Sequence, residues 1–185
     1  MTPPPRTALV IIFTGVEEVE AVTAIDLLRR AGIAVTVASL GPERRVVGRT
    51  SITLEAEIDL TGALAREYGA VVLPGGPGVK HLRATPAVIE LVERQAASGR
   101  LVAAICAAPT VLKDAGVLLG RQHTGHTSVE PELPEMTTSE AVVRDGNVIT
   151  SRGAGTAIPF AFEIIRALVS DDAADQVAKA ICYPR

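Results

Sequence analysis

Short aliphatic runs alternating with amphipathic stretches constrain this chain more than any other feature. Residues 7–15, TALVIIFTG, are continuously apolar, so a strand built from them needs cover on both faces. Residues 16–32, VEEVEAVTAIDLLRRAG, have the apolar spacing of a helix ending at Gly32, and residues 33–41, IAVTVASLG, supply the next strand. Strand, helix and strand in this order predict a βαβ unit with two parallel strands. The pattern returns further on. AVVLPGG (70–76) reads as a third core strand stopped by a Pro-Gly-Gly turn. TPAVIELVERQAASG (85–99) reads as a helix with Thr85 as N-cap and Pro86 in its first turn, and LVAAI (101–105) as a fourth strand.

The remaining segments fit around that frame. RRVVGRTSITLEAEIDL (44–60) alternates over part of its length and reads as a short hairpin or an edge excursion, and LTGALAREYG as a helix. From Arg121 to Glu140 the periodicity fails in a polar loop, before AVVRDGNVITS returns as a hairpin around Asp145-Gly146. PFAFEIIRALVS and DDAADQVAKAIC close the chain as helices. No repeat or low-complexity tract occurs beyond the prolines at 3–5. The class is α/β, with a mostly parallel central sheet covered by helices on both faces. In such sheets ligands sit beyond the carboxyl ends of the strands. The turns after VIIFTG and VVLPGG, and the one bearing Cys106, fall there.

Composition removes several functions. The 185 residues suit one domain that buries roughly 70% of its unfolded surface without a metal or disulfide scaffold. A net charge of -3 supplies no basic field for a nucleic-acid backbone. The start, MTPPPRTALVIIF, lacks the features of a secretory signal, and its apolar run is too short to span a bilayer, so a cytoplasmic protein without membrane attachment is expected. In that reducing compartment Cys106 and Cys182 are not expected to pair.

Cys106 stands where strand chemistry stops and helix chemistry begins. With APTVLKDAGVL helical, its sulfur lies at a helix N-terminus, where unpaired N–H groups and the dipole favour the thiolate. The competing reading is a small buried hydrophobe. Cys182 has no such context. Glu17, Glu18 and Glu20 gather in the first turn of a helix, where favourable charge placement accounts for two of them and one is left to share a proton with the thiol. Helical spacing does not choose among them. His81 falls in a helical connection, and His123 and His126 flank Thr124-Gly125 in the irregular loop, where a histidine near the thiol serves as acid or base. The H-x-x-H pair lacks a third metal ligand at a recognisable spacing. RGAGTA (152–157) lacks the lysine of a phosphate loop and reads as a tight turn.

Taken in order, GVEEVEAV, LLRRAGIAVTVASL, VVLPGG, AAICAAPTVL, HTGH and VITSRGAGTA resemble the ThiJ/PfpI superfamily, and within it the parkinsonism-associated deglycase (DJ-one) branch. The resemblance implies a single ThiJ/PfpI-type, class I glutamine amidotransferase-like domain over residues 1–185. It further implies a flavodoxin-like three-layer sandwich and a homodimer. Carried over by position, it makes Cys106 the nucleophile, Glu20 its carboxyl partner and His126 the loop histidine. Gly76 and Ala107 become backbone donors near the sulfur, and Arg49 an arginine beside the site at the dimer interface. The protease-like branch has a histidine directly after the cysteine. Here Ala107 stands instead, which disfavours a peptidase, and Thr127 and Ser128 depart from the nearer pattern. The implied activity is cofactor-free, metal-free detoxification of small reactive dicarbonyls, of glyoxalase or deglycase type. The alternatives are an oxidative-stress sensor or chaperone acting through Cys106 sulfinate, and a small imide or isocyanide hydratase. An ionised Glu20 would raise the thiol pKa by repulsion, so the reading expects Glu20 shifted upward and Cys106 downward as a coupled pair.

Overall fold

The computed structural model describes residues 6–184, so the proline run at 3–5 lies outside the described residues. Seven strands form one sheet: β1 (Thr7–Ile12), β2 (Ala34–Ser39), β5 (Ile58–Asp59), β6 (Ala70–Leu73), β7 (Leu101–Ile105), β8 (Val142–Asp145) and β9 (Val148–Ser151). Their spatial order is β5-β2-β1-β6-β7-β9-β8, and only the β8–β9 pair is antiparallel. The aliphatic runs become these strands because apolar cover on both faces leaves no solvated side. Every residue from Ala8 to Ile12, and all of β6 and β7, is buried.

Helices flank the sheet in two groups. One contains α1 (Glu18–Arg30), α6 (Ala157–Leu168) and α7 (Asp171–Ala180); the other contains α3 (Val79–Arg83), α4 (Pro86–Ala97) and α5 (Pro109–Asp114). In α1, Ala21, Ala24, Leu27 and Leu28 recur at helical spacing and turn inward. The alternating segment forms both of its offered alternatives. β3 (Arg45–Val47) and β4 (Thr53–Glu55) pair as an antiparallel hairpin, and β5 follows as the parallel edge strand beside β2.

Three local expectations are corrected. The helix expected over LTGALAREYG is α2 (Leu60–Leu64), which ends after five residues. Thr85 occupies the N-cap position of α4, but its hydroxyl donates to the His81 carbonyl at 2.8 Å and caps nothing. The helix after Cys106 begins only at Pro109, so the sulfur precedes the helix instead of capping it.

The chain runs outward from β1 to β2 and β5, then returns across β1 to β6. That reversal opens a crevice between β1 and β6 at the carboxyl ends of the strands. The turns following β1, β6, β7 and β9 converge at this edge.

Candidate active site

Cys106 occupies the first position after β7, with φ at +66°. A non-glycine residue rarely enters this left-handed region, so the surrounding contacts must hold it there. They do so from two sides: its N–H donates to the Ser151 carbonyl at 2.9 Å, and its carbonyl accepts from the His126 N–H at 2.8 Å. The sharp turn lifts the side chain off the strand end, between the turns that follow β1 and β6.

The three glutamates take three separate positions. Glu17 is the N-cap of α1, and its Oε2 accepts from the Glu20 N–H at 2.9 Å. Glu18 Oε1 accepts from both the N–H and the hydroxyl of Thr50, each at 2.8 Å, which ties the hairpin between β3 and β4 to the start of α1. Burial pushes the Glu18 carboxyl upward, but the Thr50 bonds outweigh it and hold the group below its ordinary range. Charge placement against the dipole therefore understates both residues. Glu20 turns inward and is 1% exposed. Its Oε2 accepts from the Gly75 N–H at 2.7 Å, while Oε1 has no nitrogen or oxygen partner among the described residues. Cys106 is its neighbour, since a Cβ on Gly75 would approach both Cys106 Cβ and Glu20 Oε2.

Gly75 permits this approach. A Cβ there would lie 2.6 Å from Cys106 Cβ, 2.8 Å from the Ile105 carbonyl oxygen and 2.9 Å from Glu20 Oε2. Gly76 adopts φ +110°, a conformation that a side chain would strain, and its N–H and that of Ala107 favour the ionised form of the sulfur.

Burial pushes the Glu20 carboxyl up to about 7, and the charge of Glu17 adds to the rise. The Gly75 N–H, the Cys106 thiol and the Arg49 charge oppose it. Cys106 moves against expectation. Burial first, then the charge and hydrogen bond of Glu20, push the thiol up to about 12, against the pull of the Gly76 and Ala107 amides. Each group raises the cost of charging the other, so the two titrate as a coupled pair that carries one negative charge between them before it carries two. The expected depression of the thiol is corrected to an upward push, because burial disfavours the thiolate and the Glu20 carboxyl sits beside the sulfur.

His126 joins the same site. Its Nδ1 accepts from the Ser128 N–H at 3.1 Å and lies 2.9 Å from the Ser128 hydroxyl, which leaves Nε2 to carry the ring proton in the neutral form. A Cβ on Gly153 would lie 3.5 Å from His126 Cδ2 and 4.0 Å from Glu20 Oε1, so the ring and the carboxyl border one space. Arg49 is anchored through its N–H to the Val16 carbonyl at 2.9 Å, and its charge reaches Glu20. Residues 20, 49, 76, 106, 107 and 126 thus come together from five separate segments.

Other candidates lie elsewhere. His123 is buried, with Nδ1 bonded to the Arg121 carbonyl at 2.9 Å, and His81 lies on α3 against a separate cavity of about 500 Å³. Cys182 is exposed near the C-terminus, and among the described residues neither cysteine forms a disulfide. Among the described residues no group of three His, Cys, Asp or Glu side chains is arranged to hold a metal ion, and no helix is long and apolar enough to cross a membrane. Sequence reasoning missed the contact of Gly75 with Glu20, which the doubled glycine of LPGG marked, and it noted Ser128 only as a departure from the family pattern, without its bonds to His126 Nδ1.

Known proteins share this architecture. Protein dj-1beta of Drosophila melanogaster is 39% identical over 180 residues, spanning 95% of this chain and 96% of the fly protein. Its crystal structure superposes with a TM-score of 0.94, at 40% identity over 98% of this chain and 100% of the other. The glutathione-independent glyoxalase DJR-1.2 of Caenorhabditis elegans is 32% identical over 91% of each chain. A structure of Toxoplasma gondii DJ-1, described as oxidized, has a TM-score of 0.92 at 29% identity, covering 97% of this chain and 99% of its own. The DJ-1/PfpI family pattern runs through residues 6–167, from the first strand of the sheet to the last turn of α6. With the family pattern spanning most of the chain and the fly structure superposing over nearly all of it, the chain belongs to the DJ-1/PfpI family.

Proposed function

We propose that the protein converts small reactive dicarbonyls such as methylglyoxal, or their early adducts, into hydroxy acids through Cys106, with no cofactor. The observation that carries this reading is the Glu20 carboxyl, buried against the thiol and pushed up to about 7, where a general base is most effective at neutral pH. Ionised Glu20 takes the thiol proton as sulfur adds to the aldehyde carbon. The carbonyl oxygen accepts that proton and a hemithioacetal results. The hydrogen on the former aldehyde carbon is then lost as a proton and returned at the neighbouring carbon, with His126 Nε2 and Glu20 as carriers. One carbon is oxidised and the other reduced, leaving a thioester. Water cleaves it to the hydroxy acid and restores the thiol. The Gly76 and Ala107 amides stabilise charge that develops beside the sulfur. The worm relative named as a glutathione-independent glyoxalase supports the same class of activity.

We further propose that the protein works as a homodimer. Val19 and Val22 on α1, and Val47 and Ile52 on the hairpin, are about half exposed on two elements that Glu18 and Thr50 hold together. A second reading, oxidation of Cys106 to a sulfinate, draws on the Toxoplasma gondii relative described as oxidized. The dicarbonyl reading takes precedence because it uses the buried carboxyl beside the sulfur and the His126 ring bordering the same space to move a proton between two carbons, which oxidation does not need.

The test is conversion of methylglyoxal to lactate by purified, chelator-treated protein. Turnover is expected in the wild type and loss of it in Cys106→Ala. Equal rates in the two proteins, or no turnover in either, overturn the proposal.

A further inference from the structure

Beside His126 lies a cavity of about 500 Å³ that the mechanism leaves mostly unused. Its walls come from the 121–140 loop and from the turn after β9, including His126, Ser139, Arg152, Gly153 and Thr156. Gly153 separates it from the reacting groups by the thickness of a backbone without a side chain, since a Cβ there would lie 3.5 Å from His126 Cδ2 and 4.0 Å from Glu20 Oε1. A molecule the size of methylglyoxal leaves most of this space unfilled.

The electrostatics of the wall are one-sided. Arg152 is the only fixed charge in the lining, and no carboxylate lines the cavity. The Arg152 backbone is tied to the Ala141 carbonyl, at 3.3 Å, yet among the described residues its guanidinium has no ion-pair partner. Glu140 adjoins Ala141 and is exposed, and no ion pair joins it to Arg152. Arg29, Arg83 and Arg100 are paired with carboxylates, whereas among the described residues Arg152 shares its lack of an ion pair with arginines such as Arg66 and Arg94 and differs from these two in lining a cavity beside His126. Hydroxyls of Ser139 and Thr127 line the same space and can add hydrogen bonds. A planar, half-buried guanidinium of this kind matches an oxyanion through two parallel bonds.

We propose that Arg152 is a specificity-determining residue whose cavity holds an anionic group, a carboxylate or a phosphate, of the molecule that reacts at Cys106. This assignment rests on the cysteine reading of the same site and narrows its substrate class: dicarbonyls bearing an acidic substituent are preferred over neutral ones. Binding brings the anion to Arg152 while the carbonyl carbon stays at the sulfur, and no bond to the anionic group forms or breaks.

Alkylation of Cys106 by iodoacetate and iodoacetamide tests the proposal without relying on turnover. Both reagents break a carbon–iodine bond and form the same thioether link, so their rate ratio, normalised to that of exposed Cys182 in the same molecule, reads the charge near the sulfur. The ratio at Cys106 is expected to fall by roughly 5-fold in Arg152→Gln and to recover in part in Arg152→Lys. An unchanged ratio in Arg152→Gln overturns the subsite. Should Cys106 resist both reagents, the cysteine reading fails, and the subsite is decided separately from the Arg152 Nε–H resonance. Lactate and inorganic phosphate are then titrated in turn: a shift with one supports that anion, and no shift with either overturns the proposal.

Discussion

Replacing Glu20 with glutamine should make the protein more stable and less active, and the size of the first effect follows from the proton affinity of the carboxyl. Below pH 4.5 both folded and unfolded chains hold the Glu20 proton, so the group contributes no differential stability. As pH rises from 4.5 towards about 7 the unfolded chain releases that proton while the folded protein keeps it, and stability falls. Above about 7 the full penalty is in place. At about 1.4 kcal/mol for each tenfold change in proton affinity, it amounts to about 3 kcal/mol. Glutamine removes the charge and keeps an acceptor for the Gly75 N–H, whose preference for the charged form is already contained in the net rise. The gain at pH 8 is therefore about 3 kcal/mol, or a rise in Tm of about 6–12 °C for a chain of this size. At pH 5 the folded wild type is itself protonated and the two proteins should agree within about 1 kcal/mol. Thermal denaturation of both proteins at pH 5 and pH 8 measures this directly. The same substitution removes the base, so turnover should drop at least about 100-fold, and the rise of wild-type kcat/KM through pH 7 should disappear. A Tm difference that is the same at both pH values would refute the assignment of the charged carboxyl to a buried, thiol-facing position.

Two further substitutions probe the scaffold of the site. Gly75→Ala forces a methyl group against Cys106 Cβ, the Ile105 carbonyl and Glu20 Oε2, and should lower stability by about 1–3 kcal/mol in urea titration. It should also abolish turnover; full activity would show that the Gly75 contact with Glu20 is dispensable. Thr50→Ala removes the hydroxyl bond to buried Glu18 but keeps the backbone one, and should cost about 1–2 kcal/mol at pH 7. Glu18 is held below its ordinary range, so its contribution is present above pH 4.5 and lost as pH falls through the depressed folded value; the Thr50→Ala deficit should shrink in acid. A deficit independent of pH would count against the Glu18 bond as its source.

The parallel core was legible in the sequence because burial on both faces writes an unbroken aliphatic run, as at Ala8–Ile12 and Leu101–Ile105. The DG-containing turn between β8 and β9 was legible for a local reason as well. The failures are tertiary. Nothing near Thr85 shows that its hydroxyl has a better acceptor in the preceding turn at His81 than in its own helix. The two-residue strand β5 exists only because β2 offers it an edge, and such a segment carries no periodicity of its own.

The site divides along the same line. Glu17 acts three residues away, on the Glu20 N–H, whereas Glu18 meets Thr50 across 32 residues and Glu20 meets Gly75 across 55. Spacing within one helical turn could not sort them, since the partners that separate their duties lie in other turns of the sheet. The thiol shows the consequence most plainly. Local reasoning placed it at a helix N-terminus and made it acidic, but the fold delays the helix to Pro109 and brings a buried carboxyl to the sulfur instead. The two groups therefore titrate as a pair, and neither proton affinity belongs to one residue alone. On the proposed reading of Cys106 as the nucleophile, Glu20 must take up the proton that the sulfur gives away, so a substitution at either residue should move the titration of the other.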